Sequence, residues 1–147
     1  MANSGIDQIA VIKVLNNILE AELAGVVRYT HYALIVFGYN RIPIVAWMRE
    51  QAIESLLHAN EAGEMITHLG GHPSLGIGPL LETHRHDIGD ILRESLEHET
   101  LALAEYYRLL DLVNDHSVLL EEYARRMCAL EETHVGDVRK MLLNPGD

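Results

Sequence analysis

The feature that most constrains this chain is helical periodicity over nearly its whole length. Apolar residues recur three or four positions apart, and the strict alternation typical of strands is almost absent. The pattern is interrupted at Gly38–Arg41, at Gly70-Gly71 and at Asn144-Pro145-Gly146, where glycine and proline are typical of helix ends. It therefore predicts four long helical segments, A to D, at about residues 7–37, 43–69, 83–113 and 117–143.

The links between these segments differ in length. A few residues join A to B and C to D, whereas a longer stretch with several glycines and prolines joins B to C. Short links make neighbouring helices antiparallel, and a long link allows the chain to cross along the bundle. A chain of 147 residues suits one core. We therefore expect an all-α four-helix bundle with a long B–C crossover, forming a single domain over residues 1–147.

Composition argues against several kinds of function. The formal net charge is −11 and no stretch is basic, so we expect no nucleic-acid binding. No apolar run reaches the roughly 18 residues of a membrane span, and the first residues carry no apolar signal stretch. Cys128 is the only cysteine, which excludes an internal disulfide and a multi-cysteine metal site. These features favour a protein of the reducing cytoplasm, with no membrane partner.

Acidic residues occupy positions where the apolar stripes predict core. Glu22 lies within the segment A stripe of Leu15, Ile18/Leu19, Val26 and Tyr29. A buried carboxylate without a partner is costly, so it is normally paired, protonated or bound to a cation. Four such positions in one small bundle predict a bound cation. The other three are Glu99 between Leu96 and Leu103, Glu54 with His58 between Trp47 and Met65, and Glu131 with His134 between Met127 and Val138.

The spacing of these acids repeats. Glu22 precedes Glu54 by 32 residues, and Glu99 precedes Glu131 by 32 residues. Glu131 and His134 form a Glu-x-x-His motif, which puts both side chains on one helix face. Two such hairpins brought together would supply four carboxylates and two imidazoles to two metal ions. Hard oxygen ligands with imidazole suit iron or manganese, with zinc possible in their place.

Four short stretches carry a family resemblance: residues 15–23, His58-Ala59-Asn60, residues 69–73 and Glu131–His134. With them the chain resembles bacterioferritins over nearly its whole length. The resemblance implies a di-iron ferroxidase centre with an aromatic residue, Tyr29, near it. The ligands that it implies are Glu22, His58, Glu99, Glu131 and His134.

One departure from the family concerns segment B. The family's Glu-x-x-His motif would place a glutamate at position 55, which is Ser55 here. Glu54 is four residues before His58, and an i, i+4 pair still shares a helix face. We expect Glu54 to complete the centre. The competing interpretation is that Glu54 faces outward and one half of the centre is degenerate.

Two further departures concern haem and assembly. The position of the family's haem-ligating methionine is Leu56, and an isobutyl group cannot ligate iron, so we expect no haem. The family's short fifth helix is missing, which puts a 24-subunit shell in doubt. We still expect a homo-oligomer, at least a dimer.

The leading hypothesis is therefore an enzyme that binds Fe(II) and oxidises it with dioxygen or peroxide, for iron storage or detoxification. One alternative is a haem-free metal-binding or partner protein with a degenerate centre. Another is a di-metal oxidase that acts on a different substrate. The remaining histidines give weaker signals. His98 is expected to point away from the core. His68, His72, His84 and His86 could form a secondary metal site or an entry site for iron, but surface solvation is the simpler interpretation of each one alone.

Overall fold

A computed structural model describes residues 5–146, which contain four helices and no strand. This confirms the all-α four-helix bundle. Three of the helices end within two residues of their predicted limits. The third begins at Ile88 rather than near Thr83, because Asp87 caps it by accepting hydrogen bonds from the amides of Gly89 and Asp90. The helices are α1 (Gln8–Ile35), α2 (Arg41–His68), α3 (Ile88–Val113) and α4 (Val118–Met141).

Local chemistry explains the other helix ends. Asp7 and Ser117 each accept a hydrogen bond from a backbone amide in the first turn of α1 and α4. The Arg41 side chain donates to the last carbonyl groups of α1, those of Ala33 and Val36. After α2 the chain turns at Gly70, whose φ of +77° favours glycine.

The crossover of residues 69–87 is held against α1. Ser74 donates its amide to Asn16 at 2.7 Å, and Gly78 donates its amide to the Glu20 carbonyl at 2.9 Å. A Cβ at Gly78 would come within 3.0 Å of that carbonyl, so glycine favours this close approach. The Arg28 side chain donates to the Leu81 carbonyl at 3.3 Å. The crossover therefore has a fixed path across the bundle.

Two apolar clusters fill the bundle on either side of a polar layer. The larger joins residues of all four helices and includes Leu15, Ile66, Leu109 and Met127. The smaller surrounds Tyr29, Tyr32, Val36, Met48 and Ile91. The buried acids Glu22, Glu99 and Glu131 belong to neither cluster. Within the described residues, no helix combines the length and the apolar character needed to cross a bilayer.

The buried faces of α2 and α3 differ from the predicted stripes. In α2 the largest fully buried side chains are Met48 and Ile66, whereas Trp47 and Met65 are half-buried. In α3 the predicted Leu96, Leu103 and Leu110 are half-buried, and the buried face runs through Ser95, His98, Ala102 and Leu109. The α2 stripe is thus shifted by one residue, which changes how Glu54 and Ser55 face the core.

Candidate metal centre

Each helix supplies at least one side chain to the polar layer. Glu22 comes from α1, Glu99 from α3, and a carboxylate with a histidine comes from each of α2 and α4. Glu22, His58, Glu99 and Glu131 are each at most 6% exposed. The antiparallel hairpins bring these positions to the same height, so all the residues predicted from the sequence lie in one region.

The first group of potential ligands joins Glu22, His58 and Glu131. One donor atom from each lies within 4.8 Å of the others. His58 Nδ1 is 3.6 Å from Glu22 Oε2 and 3.4 Å from Glu131 Oε1. These separations suit donor atoms arranged around a shared cation.

The second group joins Glu99, Glu131 and His134 within the same limit. His134 Nδ1 is 3.6 Å from Glu131 Oε2. Glu131 is the member common to both groups. It is 1% exposed, and its Oε2 has no hydrogen-bond partner in the described part of the chain. A buried carboxylate oxygen that lacks a hydrogen-bond partner is more consistent with a metal ligand than with ordinary core packing.

Glu54 lies at the edge of this layer. Its Oε1 is 3.4 Å from His134 Nε2 and 3.9 Å from His58 Nε2, and a third of its side chain is exposed. The two imidazoles stack with their ring centroids 6.4 Å apart. Glu54 therefore faces the histidines of both groups while belonging to neither group of three.

Ser55 lies on the buried face of α2, at 7% exposure. Its Oγ packs against Gly25, where an added Cβ would come within 2.7 Å of it. The one-residue shift of the α2 stripe thus places the serine, and not the adjacent glutamate, on the most buried line of the helix.

Two phenols hold the carboxylates that face each other across the bundle. Tyr29 on α1 donates to Glu99 Oε1 at 2.5 Å, and its hydroxyl is 2.7 Å from Ser95 Oγ. Tyr106 on α3 donates to Glu22 Oε1 at 2.9 Å. In each carboxylate the tyrosine therefore occupies Oε1, and Oε2 of Glu22 lies 3.6 Å from His58 Nδ1.

Burial and mutual repulsion set the protonation of the acids. Burial, and then the charge of Glu131, raise the pKa of Glu22 and raise that of Glu99 further. Burial would also raise the pKa of Glu131, but the adjacent His134 and His58 hold it well below its usual range. Burial would lower the pKa of His58, yet Glu131 and Glu22 outweigh it and raise the value to about 10. In the absence of a cation, protons on His58 offset part of the negative charge.

The position of His98 contradicts a prediction made from the sequence. Rather than pointing away from the core, it is 7% exposed, and burial together with the charge of Arg28 lowers its pKa to about 4. Its side chain forms no hydrogen bond with any residue of the described range. The sequence does indicate this buried face, since Ser95, His98 and Ala102 recur at helical spacing. Two of these residues are polar, so the pattern of the neighbouring leucines was more apparent.

A fourth buried acid, Glu94, has a different role. It accepts hydrogen bonds from Tyr32 at 2.7 Å and from Thr83, and its Oε1 is 3.7 Å from Arg28 Nη2. These contacts tie the start of α3 to α1 and the crossover. A saturated set of protein partners makes Glu94 a structural residue.

The other histidines do not form a comparable group. His68, His72, His84 and His86 are exposed, and among the described residues only the two groups above bring three potential ligands together. Cys128 is buried, and burial raises the pKa of its thiol to about 11. Leu56 is 46% exposed on α2, and the lack of haem stays a prediction.

The four-helix fold and the buried carboxylate–histidine layer define the class of ferritin-like bundles. A family model described as a ferritin-like domain matches residues 12–144. The chain belongs to this family.

Solved structures agree on the fold. A ferritin-like, diiron-carboxylate protein of Bacillus anthracis is 22% identical with a TM-score of 0.88, covering 93% of this chain and 98% of that one. A dodecameric thioferritin of Bacteroides fragilis, described as bacterioferritin-related, is 24% identical with a TM-score of 0.86, covering 93% and 86%. The bacterioferritin of Rhodobacter capsulatus is 24% identical with a TM-score of 0.79, covering 90% and 82%. No curated protein matches the chain in sequence.

Proposed function

We propose that this protein is a ferroxidase, which binds two Fe(II) ions in the polar layer and oxidises them with dioxygen or peroxide. The observation that carries the proposal is the position of Glu131, which is common to both ligand groups and has a buried oxygen without a hydrogen bond. A carboxylate so placed can bridge two cations and hold them close together.

The residues of the polar layer would have different roles in the proposed metal centre. Glu22 with His58, and Glu99 with His134, would each complete one metal sphere, with Glu131 between them. Glu54, beside both histidines, would close the open edge. The two tyrosines fix the carboxylates of Glu22 and Glu99, so that little reorganisation is needed as the charge on iron rises.

The electron balance of the reaction is simple. Each Fe(II) gives up one electron. Dioxygen takes two electrons and two protons and leaves as hydrogen peroxide. With peroxide as the oxidant, the O–O bond breaks, and two electrons with two protons yield two water molecules. The carboxylates offset the positive charge of the Fe(III) product.

The donor set favours iron without requiring it. Carboxylate oxygens with imidazole nitrogens also bind Mn(II), and Zn(II) can occupy the same ligands. Known structures with this fold include a Desulfovibrio desulfuricans bacterioferritin whose diiron site was captured in different catalytic states, at 23% identity and a TM-score of 0.77, covering 92% of this chain and 79% of that one. We carry iron over to this chain as part of the proposal.

A second candidate function rests on Ser55. The buried α2 position carries a neutral hydroxyl, and the nearby Glu54 is partly exposed. A centre with a weakened second half would bind one cation tightly and oxidise iron poorly. The protein would then act as a metal-binding or partner protein.

We also propose a homo-oligomer. Large apolar side chains of α1, α2 and their link are exposed in the single chain, among them Leu34, Phe37, Ile42, Ile53 and Leu57. Such a surface is typical of a protein interface. The B. fragilis neighbour is described as dodecameric. Whether iron is stored as mineral depends on whether this chain also forms a shell.

The two candidates are separated by the rate of ferrous oxidation under anaerobic loading followed by addition of dioxygen or peroxide. We expect oxidation faster than in protein-free buffer, and its loss in Glu131→Ala. The matched control is Glu132→Ala, because Glu132 is the adjacent acid on the exposed side of α4. A wild-type protein that binds iron but oxidises it no faster than buffer would favour the metal-binding alternative.

A further inference from the structure

A cavity of about 450 Å³ lies between α1 and α3 under the crossover, outside the metal centre. We call it the crossover cavity. Its volume falls in the range of small-molecule sites, roughly 300–1,000 Å³. Its walls are largely apolar and include Ala21, Ala24, Leu81, Leu101 and Ala104. Gly78 and Pro79 of the crossover also line it, and the fixed path of that segment keeps the cavity in place.

His98 is the only buried residue among the polar ones that line this cavity, which also include Asn17, Glu20, Glu105 and Arg108. It lines the cavity although it is 93% buried, and its side chain has no hydrogen-bond partner in residues 5–146. A buried imidazole normally has such a partner, because each of its nitrogens is a donor or an acceptor. The imidazole of His98 is therefore available to form a hydrogen bond with a small molecule in the cavity.

His98 also separates the cavity from the metal centre. It precedes Glu99 in the chain, and its ring centroid is 6.5 Å from that of Tyr29, the phenol that donates to Glu99. On its inner side its Nε2 packs against Gly25, where a Cβ would come within 3.1 Å. Ser55 meets the same glycine, so the side chains of His98 and Ser55 pack against the same position of α1.

The surroundings favour an uncharged ligand. No group of three potential metal ligands is found here within the described residues, so the cavity is not built to hold a cation. Glu105 at the mouth is already paired with Arg108 at 2.9 Å. The positive charge of Arg28 acts on His98 from the other side. Of the two oxidants, hydrogen peroxide both donates and accepts hydrogen bonds, whereas dioxygen does neither to a useful degree.

We propose that the crossover cavity binds hydrogen peroxide on His98, beside the metal centre, and supplies it to that centre. The proposal rests on the ferroxidase function above. Peroxide bound there then receives one electron from each of two Fe(II) ions, its O–O bond breaks, and two protons complete two water molecules. His98 acts by binding and positioning the oxidant, and it exchanges no electrons.

The first test uses protein loaded with Zn(II), which cannot be oxidised. With 15N-labelled histidine, hydrogen peroxide should shift the NMR signals of one imidazole at millimolar concentration. Those signals are assigned to His98 by their loss in His98→Leu. An unchanged spectrum up to high millimolar peroxide would overturn the proposal, and this result does not depend on whether iron is oxidised.

The second test compares oxidants in the iron-loaded protein. His98→Leu should slow oxidation by peroxide by about tenfold, the equivalent of one lost hydrogen bond. Oxidation by dioxygen and the affinity for Zn(II) should be unchanged. Ala104→Trp, which fills the exposed mouth of the cavity, should act like His98→Leu. Leu103→Trp adds the same ring on the neighbouring α3 position, which faces another cavity, and should have no effect.

Two results would contradict the proposal. One is a peroxide rate that neither His98→Leu nor Ala104→Trp changes. The other is an equal slowing with both oxidants, which would assign His98 to the general integrity of the centre. If no oxidant oxidises iron in the wild type, the ferroxidase function fails, and the Zn(II) experiment alone decides whether the cavity binds peroxide.

Discussion

Tyr106 reaches across the bundle and donates a hydrogen bond of 2.9 Å to Glu22. Tyr29 makes the reciprocal contact, donating to Glu99 at 2.5 Å. Each tyrosine lies seven residues after the glutamate of its own helix, and it donates to the glutamate of the other hairpin. Each hairpin therefore holds a carboxylate of the other in place. This reciprocity extends the 32-residue repeat of the acids, and it makes the tyrosines part of the centre's construction.

Removing one of these two hydrogen bonds should weaken metal binding. Tyr106→Phe deletes the hydrogen bond to Glu22 and should lower the affinity of the first ligand group for Co(II) or Zn(II) by roughly ten- to a hundredfold, since a hydrogen bond to a charged group contributes about 1.5–3 kcal/mol. Isothermal titration calorimetry measures this directly.

Tyr123→Phe is the control. Tyr123 packs beside Tyr106 with ring centroids 6.4 Å apart, but its buried hydroxyl has no hydrogen-bond partner in the described chain. Its removal should leave affinity unchanged. Equal losses in both variants would mean that the pocket responds to packing and not to the hydrogen bond.

Glu54 should be a ligand although it lies at the edge of the layer. Glu54→Ala should lower metal occupancy from two ions to about one per chain and slow ferrous oxidation, because carboxylate binds Fe(II) far better than a neutral hydroxyl does. Ser55→Ala should have little effect. Full occupancy and activity in Glu54→Ala, by metal analysis and stopped-flow absorbance, would make Glu54 a surface residue.

Removing the metal should destabilise the fold. Without a cation the carboxylates of Glu22 and Glu99 are buried beside the charge of Glu131, and burial first and repulsion second raise their pKa values. Metal at a hundredfold excess over Kd adds about 2.7 kcal/mol, which raises Tm by roughly 5–10 °C for a chain of this size. Differential scanning calorimetry with and without a chelator tests this. Identical Tm values would show that no tight site exists.

The metal-free protein should lose stability as the pH rises. The folded pKa of His58 is about 10, above its usual 6.5, so the stability that its proton provides is complete below pH 6.5 and is lost up to pH 10. The raised pKa values of Glu22 and Glu99 act in the same direction, because ionising them in the core is unfavourable.

Urea unfolding at pH 6 and pH 9.5 measures this effect, and His58→Gln should flatten the dependence. Metal-loaded protein should show less of it, because a cation replaces the proton. A metal-free protein that is equally stable at both pH values would contradict the assigned protonation.

Helical periodicity was enough to predict the four helices and the meeting of Glu22, Glu99, Glu131 and His134, because acids inside an apolar stripe have one direction to face. The same method failed for His98. The buried face of α3 carries Ser95, His98 and Ala102, whereas the apolar pattern predicted that the neighbouring leucines form the buried face. Polar residues at buried positions are thus both the best evidence for a site and the main cause of error.

The sequence patterns could not predict which side chains of different helices contact each other. The bond from Tyr106 to Glu22 spans 84 residues, and nothing local predicts which phenol meets which carboxylate. The later start of α3 depends on Asp87 as a cap, whereas periodicity alone extends the helix to Thr83. The rotation of α2, which buries Ser55 and leaves Glu54 at the edge, is set by packing against its neighbours.

The central claim is that two iron ions share Glu131. Crystals of protein loaded anaerobically with Fe(II) test it through anomalous scattering at the iron absorption edge. We predict one peak in each ligand group, with Glu22 and His58 beside one, Glu99 and His134 beside the other, and Glu131 between them. Iron peaks confined to the protein surface, or none in the polar layer, would contradict it.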